Sequence, residues 1–214
     1  MNVAQMVSLM GTLGVGESQS VETSNEIALS YLNLAHEELY RETCNFISKV
    51  VQTDTGLTNT ANENTITLSK MPYLISNVFP QAQTIEMDGV SLIDLRIYRF
   101  KNKDAGVPRK FAWLEKTIIF EPFEADTVYT FDVVYPTERT VLTMETQESD
   151  LPYPLSYQQL VLHGGLYYEF ASLGGFRSSQ KEVDAKAKWE NGKSLFKSYL
   201  QGSNKQKMNT FRNT

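Results

Sequence analysis

The feature that most constrains the fold is a change in the spacing of apolar residues, from a helical period to a strand period and back again. Large residues alternate with other residues at four positions that would share one face of a strand: Tyr129, Phe131, Val133 and Tyr135. On both sides of this middle region, apolar residues recur every three or four positions, as in amphipathic helices. The sequence therefore predicts an α+β fold, mainly helical, with a small antiparallel β unit inserted into a bundle of about four helices.

Two helices are predicted before residue 50. The first covers residues 3–13 and runs into a glycine-rich stretch at 11–16, which follows a helix, whereas phosphate-binding loops follow a strand. Thr23 and Glu26 form a capping box, so a longer helix is predicted to begin there and to end at about Phe46. Its apolar stripe is predicted at Ala28, Tyr31, Leu32, Ala35 and Leu39.

The β unit is predicted to cover residues 64–136. Residues 53–63 are rich in Thr, Asn and Gly, which is typical of an exposed loop, and the first strand is expected at 65–68. Asp88-Gly89 favours a type I′ turn, so residues 84–92 are predicted to be a hairpin.

A second pair of strands is predicted at residues 111–114 and 117–120, closed by Pro122 because proline cannot donate to a central ladder. Between the two pairs, residues 101–110 are predicted to form an exposed basic loop or hairpin tip. Its cations are Lys101, Lys103, Arg109 and Lys110.

The C-terminal part returns to helical spacing. One helix is predicted over residues 156–173, ended by Gly174-Gly175, with its stripe at Leu160, His163, Gly164, Tyr167, Phe170 and Ala171. A capping box of Ser179 and Glu182 opens a basic helix to about Leu200, with apolar positions at Val183, Ala187, Phe196 and Leu200. The two helices are predicted to pack as an antiparallel pair. Residues 1–200 would then be one domain, followed by an extended polar tail at 201–214.

Charge is distributed unevenly over the 214 residues. Residues 1–150 carry 11 Lys+Arg and 21 Asp+Glu, a sum of −10, whereas residues 151–214 carry 9 and 4, a sum of +5. An acidic body argues against wrapping nucleic acid, and the two parts should prefer different partners. The single Cys44 cannot form an internal disulfide, and no signal peptide or membrane span is apparent, so folding in a cytosol is expected.

Sequence patterns for catalysis or metal binding are weak. His36-Glu37 begins like a zinc-protease helix, but position 40 is Tyr40, so His36 is interpreted as a surface or boundary residue. His163 is interpreted as a packed histidine, and Cys44 as a small buried residue. No cofactor, metal or catalytic residue is predicted.

Two alternatives to a plain structural role stay open at this point. A carboxylate pair for glycoside hydrolysis could lie among Glu115, Glu121, Glu124 and Asp126, because only their separation in space would reveal it. The aromatic residues Trp113, Tyr129, Phe131 and Tyr135 could stack nucleic-acid bases, although their spacing is also that of a core face.

Several segments of the sequence, which together cover most of residues 21–200, carry a family resemblance: residues 26–35 and 37–42, Asp88-Gly89, residues 117–122, residues 134–136, Leu151-Pro152 and residues 160–169. These segments resemble the head-to-tail adaptor (connector ring) proteins of tailed bacteriophages, in particular those of short-tailed phages.

The resemblance implies a virion protein of the neck, present as a dodecameric ring between portal and tail, through which DNA passes without specific binding. It implies that Lys205, Lys207 and Arg212 in the C-terminal segment dock on the portal. It also implies that the basic loop, with Lys101, Lys103, Arg109 and Lys110, faces further neck or tail proteins. The competing hypotheses are a virion-associated peptidoglycan hydrolase, another tail or neck structural protein, and a nucleic-acid module using residues 101–110 and the tail.

Overall fold

The computed structural model describes residues 1–14, 25–81, 86–102, 105–172 and 179–212. For residues 14, 179 and 203–212 it describes the backbone alone. Five α-helices lie in these ranges: α1 (Val3–Gly14), α2 (Asn25–Thr43), α3 (Leu92–Lys101), α4 (Gln159–Ser172) and α5 (Ser179–Arg212). The chain divides into a helical unit, Met1–Lys49 with Arg139–Thr214, and a β unit, Val50–Glu138. The predicted mixture of helices and strands is confirmed, and the β unit begins earlier than residue 64.

In the helical unit, α4 contacts α1, α2 and α5. Glycines at its centre make these contacts close. A Cβ placed on Gly164 would lie 2.6 Å from Ala35 Cβ and 3.0 Å from the Trp189 ring, and one on Gly165 would lie 2.9 Å from Leu32 Cδ2. Helix backbones can approach this closely only where the side chain is a hydrogen atom.

The helices α4 and α5 are antiparallel, as the sequence predicts. A Cβ on Gly192 would lie 2.1 Å from Leu160 Cδ2, while Gly164, later in α4, lies against Trp189, earlier in α5. The connection at residues 173–178, with the predicted Gly174-Gly175 stop, lies outside the described residues.

The buried face of α5 differs from the predicted stripe. Phe196 and Leu200 are buried as expected, but Val183 and Ala187 are exposed, and Ala185 and Trp189 lie in the core instead. The prediction missed this face because Lys193 and Gly192 interrupt the apolar pattern. The helix also continues to Arg212, where the sequence predicts an extended tail from residue 201.

The predicted helices near the N-terminus are confirmed. In α2, four stripe residues are buried (Ala28, Leu32, Ala35 and Leu39), while Tyr31 is half-buried and its hydroxyl lies 2.6 Å from that of Ser172. The chain then makes one 3-10 turn at Cys44–Phe46, and Cys44 is buried as expected. The predicted cap at Thr23 lies outside the described residues, as does the side chain of Ser179.

In the described part of the β unit, seven strands form two sheets: β1 (Val51–Thr58), β2 (Thr65–Thr67), β3 (Asn77–Pro80), β4 (Asp88–Gly89), β5 (Lys110–Leu114), β6 (Thr117–Glu121) and β7 (Thr130–Pro136). One sheet has the order β1-β7-β3 and the other β2-β6-β5-β4. All pairs are antiparallel except β4 with β5, which is parallel. The predicted strands at 65–68, 111–114, 117–120 and 129–135 are confirmed.

The core of the β unit contains the predicted face of β7. Phe131, Val133 and Tyr135 are fully buried and join apolar residues from the other strands, among them Ile66, Val78, Phe111, Ile118 and Phe120. Tyr129 is nearly buried as well, so a core role, and not base stacking, accounts for these aromatic residues. Trp113, on β5, is partly exposed.

The predicted loop at residues 53–63 is largely a strand. Residues 51–58 pair with β7, and the ladder shifts between Asp54 and Leu57, where Gly56 takes a positive φ of 69°. Asp54 accepts hydrogen bonds from Ser69 N (2.8 Å), Ser69 Oγ (2.7 Å) and Tyr135 Oη (2.8 Å). Burial raises the pKa of Asp54, but these bonds outweigh it and leave its pKa below the ordinary value. A buried, satisfied carboxylate thus fixes a strand whose composition is that of a loop.

The predicted hairpin around Asp88-Gly89 is wrong. These residues form β4, which pairs with Lys110 and Phe111 of β5, and the chain continues directly into α3. A Cβ on Gly89 would lie 3.1 Å from the Phe111 ring, so the glycine serves close packing instead of a turn. The upstream residues 82–85 lie outside the described ranges.

Gly164→Ala should destabilise the protein by about 1–2 kcal/mol, because the added methyl collides with Ala35 and Trp189, and overpacking outweighs the gain in helix propensity. Chemical denaturation with circular dichroism measures this. Gly11→Ala is the matched control, since Gly11 lies in α1 with nothing within 4 Å of the new Cβ, and it should be neutral or slightly stabilising. Equal effects of the two substitutions would contradict close packing at Gly164.

Candidate assembly surfaces

The most conspicuous surface of the β unit is the outer face of α3, a helix absent from the sequence prediction. Three apolar side chains at positions i, i+4 and i+7 point to solvent: Ile93 is 70% exposed, Ile97 46% and Phe100 80%. Arg96 and Lys101 are exposed on the two sides of this stripe. We call these five residues the α3 outer face. Contiguous exposed apolar groups with a polar rim are typical of protein interaction sites.

The opposite side of α3 is held to the sheet. Leu95 is buried, and Ser91 caps the helix by accepting a hydrogen bond from Asp94 N (3.1 Å). Lys110 Nζ lies 4.8 Å from the centre of the Tyr98 ring, and Arg99 Nε lies 3.4 Å from Glu121 Oε1. The helix is therefore fixed with its apolar stripe turned outwards.

The four residues predicted to contact the tail lie in different settings. Lys101 ends α3 and belongs to its outer face, and Lys103 lies outside the described residues. Arg109 is exposed, although its backbone N–H donates to Glu121 O (3.1 Å). Lys110 is the first residue of β5 and packs on Tyr98. The segment connects a helix to a strand and is not a hairpin tip.

The signal that could have revealed α3 is present in the sequence. Ser91 with Asp94 is a short polar pair of the kind found at helix starts, and Leu92 and Leu95 repeat at helical spacing behind it. This helix signal was overlooked because Asp88-Gly89 favoured a hairpin, in which residues 90–92 were predicted to be a strand.

Among the four candidate hydrolase carboxylates, Glu121 is buried. It accepts a hydrogen bond from Asn64 Nδ2 (2.9 Å) and forms the ion pair with Arg99. Burial raises its pKa above the ordinary value, although Arg99 and Asn64 favour the charged form. Asp126 instead accepts from Asn62 Nδ2 (2.9 Å). The contacts of Glu121 tie α3 and Asn64 to the sheet, and the contact of Asp126 joins two loops, so both carboxylates have structural roles.

A cluster of charges fixes α5 against α2. Lys193 is buried and bonds Glu38, and its Nζ lies 3.1 Å from Glu190 and 3.6 Å from Glu42. Lys197 contacts Glu42 at 2.6 Å, and Tyr168 donates to Glu38. Burial opposes the charges, but these partners outweigh it, so the pKa of Glu38 is lowered and the pKa of Lys193 is raised.

The residues predicted to contact the portal, Lys205, Lys207 and Arg212, lie in the last part of α5, and their side chains are outside the description. Earlier in the same helix, Lys181, Lys186 and Lys188 are exposed. The predicted basic character of α5 is therefore present on its solvent side.

The sequence interpretation of His36 as a surface or boundary residue is wrong, because the side chain is fully buried. Its Nε2 donates to Thr140 O (3.1 Å) and its Nδ1 accepts from Tyr153 Oη (2.8 Å). Burial and the Arg139 charge lower its pKa to about 4, so His36 is neutral at pH 7 and joins α2 to the segment after residue 139.

His163 is half-buried, and burial together with Lys188 lowers its pKa. Within the described ranges, no group of three or more His, Cys, Asp or Glu residues could hold a metal ion. None of the helices in those ranges is long and apolar enough to cross a membrane.

Lys193→Met should lower the free energy of unfolding by about 2 kcal/mol at pH 7, because it leaves Glu38 and Glu42 partly buried without their shared cation. The depressed pKa of Glu38 stabilises the fold above its ordinary pKa of 4.5, and this contribution disappears as the pH falls through the folded value. Denaturation from pH 7 to pH 3 should therefore show the difference from wild type shrinking below about pH 4.5. Lys186→Met, at an exposed position of α5, should have little effect at either pH.

No curated protein matches the chain. The sequence model of the SU10 adaptor protein family matches residues 1–210, nearly the whole chain, and confirms the resemblance to phage head-tail adaptors. The chain therefore belongs to the SU10 adaptor protein family and is a structural head-tail adaptor, a component of the bacteriophage virion.

Proposed function

We propose that twelve copies of this adaptor form a ring below the portal, as in the neck of short-tailed phages, and that the ring lengthens the channel through which the genome is packaged and ejected. The observation that carries the proposal is the match of an adaptor family over residues 1–210. The two-unit construction is consistent with it, because two compact units in one chain provide two different surfaces for partners.

The uneven distribution of charge along the chain fits two contacts of such a ring, one with the portal and one with the tail. We assign the basic C-terminal part, with Lys205, Lys207 and Arg212, to the portal. Lys103, Arg109 and Lys110 are assigned to tail components, whereas Lys101, which the sequence predicted with them, belongs to the α3 outer face. The sum of −10 over residues 1–150 favours a channel that repels DNA phosphates, so that DNA passes without specific binding.

The mass of the complex that the protein forms with the portal of the same phage tests the ring. Native mass spectrometry of the mixture should give twelve adaptor copies per portal ring. A folded portal that binds no adaptor, or a different copy number, contradicts the proposal. The free adaptor is measured in parallel, since binding to the portal and self-association are separate equilibria.

The triple substitution Lys205→Gln, Lys207→Gln and Arg212→Gln should weaken portal binding by tenfold or more, because three cations would be lost from one contact. The matched control is Lys181→Gln, Lys186→Gln and Lys188→Gln, which removes the same charge from exposed positions of the same helix. Portal binding by pull-down over a salt series measures both variants. Equal loss in the two would show that the C-terminal residues are not the docking site.

A further inference from the structure

We infer that neighbouring copies in the ring contact each other through the α3 outer face of one copy and residues 140–150 of the next. The inference rests on the proposed ring and names the contact between its subunits. Two different surfaces of the same chain are involved, which is the head-to-tail arrangement that generates closed rings.

The α3 outer face has the composition of a contact surface. Its apolar stripe is exposed along the whole helix, and the helix is already attached to the sheet on its other side. Burying this stripe against a partner removes apolar area from water and requires no refolding of α3.

The cations on the flanks of the stripe have no ion-pair partner in the described part of the chain. Arg99 and Lys110, in contrast, are engaged with Glu121 and Tyr98. Arg96 and Lys101 are thus available to a partner that offers carboxylates together with apolar side chains.

Residues 140–150 have this complementary composition. They include Glu145, Glu148 and Asp150 and not one Lys or Arg. Val141 is 60% exposed and Met144 39%, so apolar side chains lie between the segment's start and its carboxylates. Arg96 and Lys101 of a neighbouring copy would meet the carboxylates while Ile97 and Phe100 meet Val141 and Met144.

The segment is held in place although it has little regular structure. Leu142 is buried, its N–H donates to Asn33 Oδ1 (2.9 Å) and its carbonyl accepts from Asn33 Nδ2 (3.0 Å). Thr146 O accepts from Val3 N (3.2 Å), and Thr143 N donates to Thr146 Oγ1 (2.9 Å). A segment fixed to α1 and α2 in this way loses little entropy on binding, unlike a free loop.

The partner is a second copy and not a different protein because the chain itself supplies the complementary surface. Glu148 already lies 2.8 Å from the Met1 ammonium group, so Glu145 is the carboxylate most available to a neighbour. In an open chain of copies, one free α3 outer face and one free acidic segment remain at the two ends, and closing the ring joins them.

Charge reversal tests the contact. Arg96→Glu with Lys101→Glu should reduce the number of copies bound per portal ring, and Glu145→Lys with Glu148→Lys should do the same, each weakening ring assembly tenfold or more. All four substitutions in one chain should restore loading. Lys70→Glu with Lys116→Glu is the matched control, because it makes the same change in charge at exposed positions of the β unit. Circular dichroism and thermal denaturation confirm that each variant is folded.

The outcomes separate the contact from the ring. If both reversed variants load the portal fully, the contact is wrong and the proposed ring stands. If the α3 variant fails and the combined variant does not recover, another protein covers the α3 outer face and the inference is overturned. If the wild-type protein never assembles on the portal, the ring and the inference fail together.

Cross-linking gives a second measurement that does not depend on charge. With the portal present, Ile97→Cys and Met144→Cys in one chain should give a ladder of disulfide-linked oligomers under oxidation. A mixture of the two single variants should give no species larger than a dimer, because each copy then has one reactive cysteine and Cys44 is buried. Absence of the ladder from assembled rings would overturn the inference.

Discussion

The helical unit depends on the close approach of α4 to its neighbours, which glycine alone permits. Gly164 and Gly165 bring α4 against Ala35, Trp189 and Leu32 at distances where a methyl group would not fit. Two glycines within one helix cost about 2 kcal/mol of helix propensity. Packing of the largest buried side chain, Trp189, over the gap offsets this cost, because dense interiors gain dispersion energy from every contact.

This close packing explains why the charges between α2 and α5 lie where they do. Trp189 fixes the register of α5, and one turn later Lys193 reaches Glu38 and Glu42 while its ammonium group lies 4.9 Å from the Trp189 ring. A buried lysine is costly without partners, and three carboxylates and an aromatic face supply them. The basic composition of α5 therefore has two roles, since one lysine closes the interior and others remain on the surface.

The helices and strands that could be predicted from the sequence are those whose residues follow a clear pattern of burial. The alternating large residues of β7 and the apolar stripe of α2 are set by packing in the core, and both predictions were confirmed. Strand β1 was missed because its stability comes from partners distant in sequence, with Asp54 bound by Ser69 and Tyr135. No local window contains that information. Residues 88–89 were assigned to a hairpin because Asp-Gly is a turn signal, whereas Phe111, from β5, decides that the glycine lies in a strand.

The candidate site was the least predictable part for a related reason. Burial patterns identify the side of a helix that faces the core, and in α3 only Leu95 is fully buried, so the pattern is weak. The residues that we infer to matter for assembly break the usual rule, since Ile93 and Phe100 are apolar and exposed. Contiguous exposed apolar groups on one helix face are typical of surfaces that a partner covers in an assembly. An adaptor joins other proteins, so exposed apolar patches such as the one on α3 are the places where binding should be tested first.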